Sequence, residues 1–89
     1  MDDAGDDPRL RRLHMRSIRR GMRETDLILG DFARRALPSL SPADLDLYEA
    51  LLDELDGDIL LWVTGTAPPP RYGTLVERIR AGAVNLGDA

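Results

Sequence analysis

Glycine and proline cut this chain into short lengths, and that punctuation constrains the fold more than any other feature. Gly21, Pro38, Gly57 and the Pro68–Pro70 triplet fall between stretches whose apolar residues recur three and four positions apart. That period belongs to amphipathic helices. Only Ile59 to Val63 has the composition of a buried strand, and no second strand exists for it to pair with, so it too reads as helix. The reading is all-α: a small compact five-helix bundle without β-strands.

Start and stop signals set the expected boundaries. Asp7 is placed to cap a helix whose first residue is Pro8, where a missing N–H costs nothing. Ser41-Pro42-Ala43-Asp44 has the same form, with Asp44 at the positive end of the dipole. Gly21 interrupts the first helix, Pro38 bars the second from continuing, and Gly57 breaks the third. Helices are therefore expected near 8–20, 23–37, 42–55, 58–64 and 72–83. The core expected from their apolar faces is Leu29, Phe32, Ala33, Leu45, Tyr48, Leu52, Leu55, Leu61, Val76 and Ile79. Residues 1–7 read as a disordered acidic tail, 8–84 as one domain, and 85–89 as a C-terminal tail.

The 89 residues allow one domain with a thin core, and a stability of roughly 3–5 kcal/mol is the expectation for that size. There is no cysteine, which excludes a disulfide scaffold, a thiolate zinc site and a cysteine nucleophile. The longest apolar run, Ile59 to Val63, falls far short of the roughly 20 residues of a membrane span, so no membrane insertion is expected. The acidic start, Met1 to Asp7, does not have the form of a signal or transit peptide.

Charge is segregated. All 12 basic residues are arginine; seven lie between Arg9 and Arg23 with no acid among them. Asp44 to Asp58 holds seven acids and no base. The two blocks can face each other within the fold or lie on solvated faces. Alternatively, the arginine block docks an acidic partner, since a guanidinium fork pairs bidentately with carboxylate and phosphate. Nucleic acid is the other acidic partner to weigh, but the net charge of −4 and the acidic block count against it.

Catalytic chemistry is sparse. His14 is the only histidine and has no second histidine or cysteine with which to hold a metal. Ser41 is accounted for as a cap. Asp56-Gly57-Asp58 lacks the remaining ligands of a calcium loop. No metal site and no enzymatic activity of the chain itself is expected. The most informative local grouping is Arg20-Gly21-Met22-Arg23-Glu24, with Asp26 after it. It places an arginine, a hinge glycine and a carboxylate at the junction of two helices. It reads either as a helix–helix turn or as a place where a foreign backbone can come close.

Those five residues resemble the RGxxE signature of the small succinate dehydrogenase assembly factors, the SdhE or flavinator family. Arg16-Ser17, Asp26, Leu27, Gly30 and Phe32 continue the resemblance. So do Leu40-Ser41, Leu51-Leu52, Asp56-Gly57-Asp58, and Trp62 followed by a Gly/Pro-rich stretch, in order and spacing. It covers about residues 10 to 82. The acidic start and the proline triplet depart from it. The resemblance implies a five-helix bundle that binds the flavoprotein subunit of succinate dehydrogenase, or of fumarate reductase, and promotes covalent attachment of FAD to a histidine there. It carries over Arg20, Gly21 and Glu24 as the contact motif, then Asp26, with Arg16 and Arg23 flanking as partner-binding residues. It further implies no stably bound cofactor, the FAD being the partner's. The expected state is a monomer or at most a weak homodimer, in the bacterial cytoplasm or the equivalent mitochondrial matrix. The competing reading is an antitoxin-like or regulatory module that docks an acidic partner through its arginine-rich first helix.

Overall fold

The computed structural model describes residues 7–87, with side chains through residue 82. Five α-helices follow in order: α1 Pro8–Ile18, α2 Arg23–Ala36, α3 Pro42–Leu52, α4 Asp56–Val63 and α5 Gly73–Gly87. Short 3-10 turns at Leu37–Ser39 and Pro70–Tyr72 lead into α3 and α5. Among the described residues there is no strand, and the fold is all-α.

Two helix starts form as their sequences dictate. The Asp7 carboxylate accepts the Arg9 and Leu10 N–H groups at 2.8 and 3.4 Å ahead of Pro8. The Ser41 hydroxyl accepts the Asp44 N–H at 3.1 Å ahead of Pro42. Both satisfy donors that a helix leaves free in its first turn. α2 ends at Ala36 because Pro38 has no N–H to carry the hydrogen-bond ladder on; Leu37 keeps α-helical dihedrals, still bonds back to the Ala33 carbonyl, and opens the 3-10 turn.

Other boundaries differ from expectation. α1 stops at Ile18, so Arg19 and Arg20 belong to the connection. α3 stops at Leu52, where the Asp53 and Glu54 N–H groups bond back only three residues, to Ala50 and Leu51 at 3.1 and 3.0 Å. α4 starts at Asp56 and carries Gly57 inside its first turn, so that glycine does not act as a breaker. Two expected core residues are therefore displaced. Leu55 lies in the extended link and is 73% exposed. Leu61 is 53% exposed because Ile59 and Val63, four residues apart, form the buried face of α4. Leu45 packs at the edge of the core, only partly buried. α5 begins at Gly73 and runs through Gly87, so residues 85–87 expected in a tail are helical. The rest of the two expected tails, residues 1–6 and 88–89, lies outside the described residues.

α1 packs chiefly on α2, α2 reaches across to α5, and α4 packs between them against α5. The core gathers Leu13, Leu29, Phe32, Tyr48, Ile59, Tyr72, Val76 and Ile79, all at most 2% exposed. The Phe32 and Tyr48 rings pack with centroids 5.5 Å apart. The Ser17 hydroxyl donates to the Leu13 carbonyl at 2.7 Å, which leaves the Tyr48 hydroxyl to donate to Ser17 at 2.6 Å. Burial pushes the Tyr48 phenol up to about 12. α1 and α2 come close together at Gly30, where an added Cβ would come within 2.7 Å of Ile18 Cγ2.

The basic and acidic blocks face each other in part. Arg9 Nη2 lies 2.6 Å from Asp46 and 3.1 Å from Glu49, and Arg16 Nη2 lies 2.5 Å from Asp53. The bond to Asp46, reinforced by Glu49, raises the pKa of the Arg9 guanidinium further. These pairs lie at the surface, where water screens them, and they contribute little to stability.

Candidate functional site

The connection between α1 and α2 turns on Gly21, whose φ of +89° lies in the region open to glycine. Met22 follows in extended backbone as the N-cap of α2 and supplies no side-chain bond to the helix end. Asp26 instead bonds the turn from within the helix: its carboxylate reaches back and accepts the Arg20 N–H at 2.9 Å. One carboxylate thus fixes the turn from inside.

The Arg20 side chain points away from the turn. Its Nε lies 2.5 Å from Asp56 Oδ1 and its Nη2 donates to the Glu54 carbonyl at 3.0 Å, leaving the side chain only 10% exposed. The link continues. The Glu54 carboxylate accepts the Tyr72 hydroxyl at 2.7 Å and Arg71 Nη2 at 3.2 Å. Arg71 also donates to the Tyr72 oxygen and stands 4.5 Å from its ring centroid. Burial and the neighbouring Glu54 carboxylate push the Tyr72 phenol pKa up. A continuous set of polar contacts therefore ties the α1–α2 turn to the α3–α4 link and on to the start of α5.

The six partner-binding candidates fall into two groups. Arg16, Arg20 and Asp26 are engaged within the chain. Gly21, Arg23 and Glu24 are exposed on the outside of the same turn. Nothing lies within 4 Å of where a Gly21 Cβ would stand, so the space beside it is open to a partner. Glu24 sits in the first turn of α2, where the helix dipole favours a carboxylate.

Shallow clefts surround the turn. One, of about 430 Å³, is lined by Met15, Arg16, Arg19, Arg20 and Asp56. A second, of about 540 Å³, is lined by Gly21, Arg23, Asp26 and Leu27. A third, of about 350 Å³, shares Asp26 and Leu27 with the second and adds His14, Ile18, Gly30, Asp31 and Arg34. Asp31 is held below the usual carboxylate range, chiefly by its bond from Arg35 and also by Arg34.

Sequence reasoning missed the apolar part of this surface. Met15, Ile18 and Leu27 are 39%, 38% and 58% exposed. A signal for Leu27 was present: it stands two residues, more than half a helical turn, from the buried Thr25 and Leu29. Thr25 itself is fully buried, and its hydroxyl has no hydrogen-bond partner among the described residues. Also among the described residues, no group of three or more His, Cys, Asp or Glu side chains could hold a metal ion, and no helix is long and apolar enough to cross a membrane.

Comparison with known proteins adds three observations. The family model described as flavinator of succinate dehydrogenase matches residues 11–83. A Komagataella phaffii protein named succinate dehydrogenase assembly factor 2, mitochondrial, is 46% identical over 61 residues, covering 68% of this chain and 32% of that protein. A Cryptococcus neoformans protein of the same name is 39% identical over 92 residues, covering 98% of this chain and 53% of that protein. The chain thus spans about a third to a half of the length of these relatives.

Proposed function

The chain belongs to the succinate dehydrogenase flavinator family, and from that premise we propose that it binds the flavoprotein subunit of succinate dehydrogenase, or of fumarate reductase, and promotes covalent attachment of FAD to a histidine of that subunit. The observation that carries this reading is the family match over residues 11–83, with Gly21, Arg23 and Glu24 of the motif exposed at a helix junction inside it.

The division of labour follows from which groups each protein brings. The bond to FAD forms at the flavoprotein's own histidine, and the flavin is the partner's. What this chain contributes is contact and orientation. Holding reacting groups in a competent arrangement is worth several kcal/mol, up to about 7–11 in ideal cases. Gly21 lets the partner's backbone come close, Glu24 offers a carboxylate at the same turn, and Asp26 and Arg20 keep the turn rigid. The action is that of an assembly chaperone rather than an enzyme. The relatives are named as mitochondrial proteins; this chain would work in the mitochondrial matrix or the equivalent bacterial cytoplasm, wherever its flavoprotein is assembled.

The test is covalent FAD on the flavoprotein, read as in-gel flavin fluorescence after co-expression with and without this chain. Fluorescence should rise with the chain and fall again with Glu24→Ala, whose exposed side chain makes no hydrogen bond or ion pair among the described residues. Equal fluorescence in all three samples would refute the reading.

A further inference from the structure

The seven arginines between Arg9 and Arg23 are divided by the fold into two sets. Arg9, Arg16 and Arg20 turn toward α3 and the α3–α4 link, where each has its carboxylate. Arg11, Arg12, Arg19 and Arg23 are exposed and pair with no carboxylate among the described residues. Residues three and four apart on a helix share a face. Arg11 and Met15 therefore line up along the outer side of α1, Arg12 stands beside them, and Arg19 follows just past its end. Past Gly21, Arg23 and Leu27 continue the same surface onto α2.

Four guanidinium groups with no carboxylate among the described residues thus share this surface with the exposed Met15, Ile18 and Leu27. Arg19 lines one cleft with Met15, Arg23 lines another with Leu27, and Arg11 and Arg12 lie one turn back along α1. On a chain of net charge −4 this is a local reversal of sign. Guanidinium is weakly hydrated and matches carboxylate geometry. Apolar side chains set among such groups have the make-up of an interface centre with a polar rim.

We infer that this outer stripe of Arg11, Arg12, Arg19 and Arg23, and not Arg20 of the motif, supplies the cationic half of the docking face, and that its occupant is an acidic surface of the flavoprotein subunit with apolar residues at its centre. The inference rests on the function proposed above and names the chemistry of that contact. Arg20 is on this account a positioning residue: a partner carboxylate would have to displace Asp56 and the Glu54 carbonyl to reach it. The exposed arginines have no carboxylate to give up among the described residues. Opposite charges facing each other across an interface act first on the rate of encounter, and they do so less as salt rises.

Association of the full chain with purified flavoprotein subunit, measured at low salt and near 1 M salt, tests this. Arg19→Glu, and the double variant Arg11→Glu with Arg12→Glu, should each slow association by about tenfold at low salt. The loss should largely vanish at high salt, with the melting temperature unchanged. Arg78→Glu on α5 makes the same change of charge as Arg19→Glu away from the stripe and should alter the rate less than about twofold. Unchanged rates in the stripe variants would overturn the inference. So would an equal loss with Arg78→Glu, which would mark a net-charge effect, or tighter binding to random duplex DNA than to the flavoprotein. No binding of the unsubstituted chain at either salt would refute the flavoprotein reading itself, and the inference with it.

Discussion

Replacing Arg20 by alanine tests the internal role of the motif arginine. In the folded chain its guanidinium meets Asp56 at 2.5 Å and the Glu54 carbonyl at 3.0 Å, with 10% of the side chain exposed. Truncation leaves a carboxylate and a carbonyl without their donor. Breaking a fully buried pair costs about 3–5 kcal/mol. Asp56 is 30% exposed and recovers part of its hydration, which brings the expected loss to about 2 kcal/mol, within the range for hydrogen bonds to charged groups. In a domain of this size that corresponds to a fall of about 8–16 °C in melting temperature. Arg16→Ala is the internal comparison. Its pair with Asp53 has side chains 35% and 71% exposed, and such surface pairs contribute about 0–1 kcal/mol. Thermal melts followed by far-ultraviolet circular dichroism separate the two, and Asp56→Ala in the Arg20→Ala background should add little further loss. A melting temperature for Arg20→Ala no lower than that for Arg16→Ala would refute the assignment of Arg20 as an internal tie.

Further outcomes follow from the same geometry. Gly21→Ala should cost about 1–2 kcal/mol, the penalty of a Cβ in the left-handed region, and Gly21→Arg should cost the same because the space beside Gly21 is open. If both melt alike and only the arginine variant loses co-purification with the flavoprotein, close approach at Gly21 is the cause; equal co-purification would refute it. Thr25→Val should melt at or above the parent temperature, since the buried hydroxyl has no partner to lose; a clear drop would mean that it has one. The Tyr48 phenol ordinarily titrates near 10.0 and is held at about 12 in the fold. Its contribution is full below pH 10 and is lost as pH rises from there toward 12, by about 2.7 kcal/mol in all. Urea melts across that window, compared with Tyr48→Phe, check the slope; identical slopes would remove Tyr48 as the cause.

Much of the fold was legible because the information was local. Asp7 and Ser41 cap the helices they precede, and Pro38 ends α2 because it has no N–H to continue the ladder. Leu55 shows where local reading fails. The leucine period of α3 continues through it in sequence, but the helix tightens and stops at Leu52. The Glu54 carbonyl is then held by Arg20, 34 residues earlier in the chain. No periodicity encodes that contact. The candidate site was legible as a place, since a glycine between charged residues at a helix junction marks a turn. Which arginine faces inward was not, because Arg19 and Arg20 are neighbours of the same chemistry, and only the packing of α3 and α4 distinguishes them.

The polar chain from Asp26 through Arg20, Glu54 and Tyr72 to Arg71 bears on how inherited or selected variants of this chain are interpreted. A substitution at Asp56 or Tyr72 lies far from the motif in sequence, yet it removes a support of the motif's own turn. Such an allele would produce the phenotype of a motif allele while leaving Arg20-Gly21-Met22-Arg23-Glu24 intact. It would also be temperature-sensitive, because its defect is in the tie and not in the contact. A second-site change restoring a donor–acceptor pair across the two junctions could suppress it, which no change could do for a lost carboxylate at Glu24.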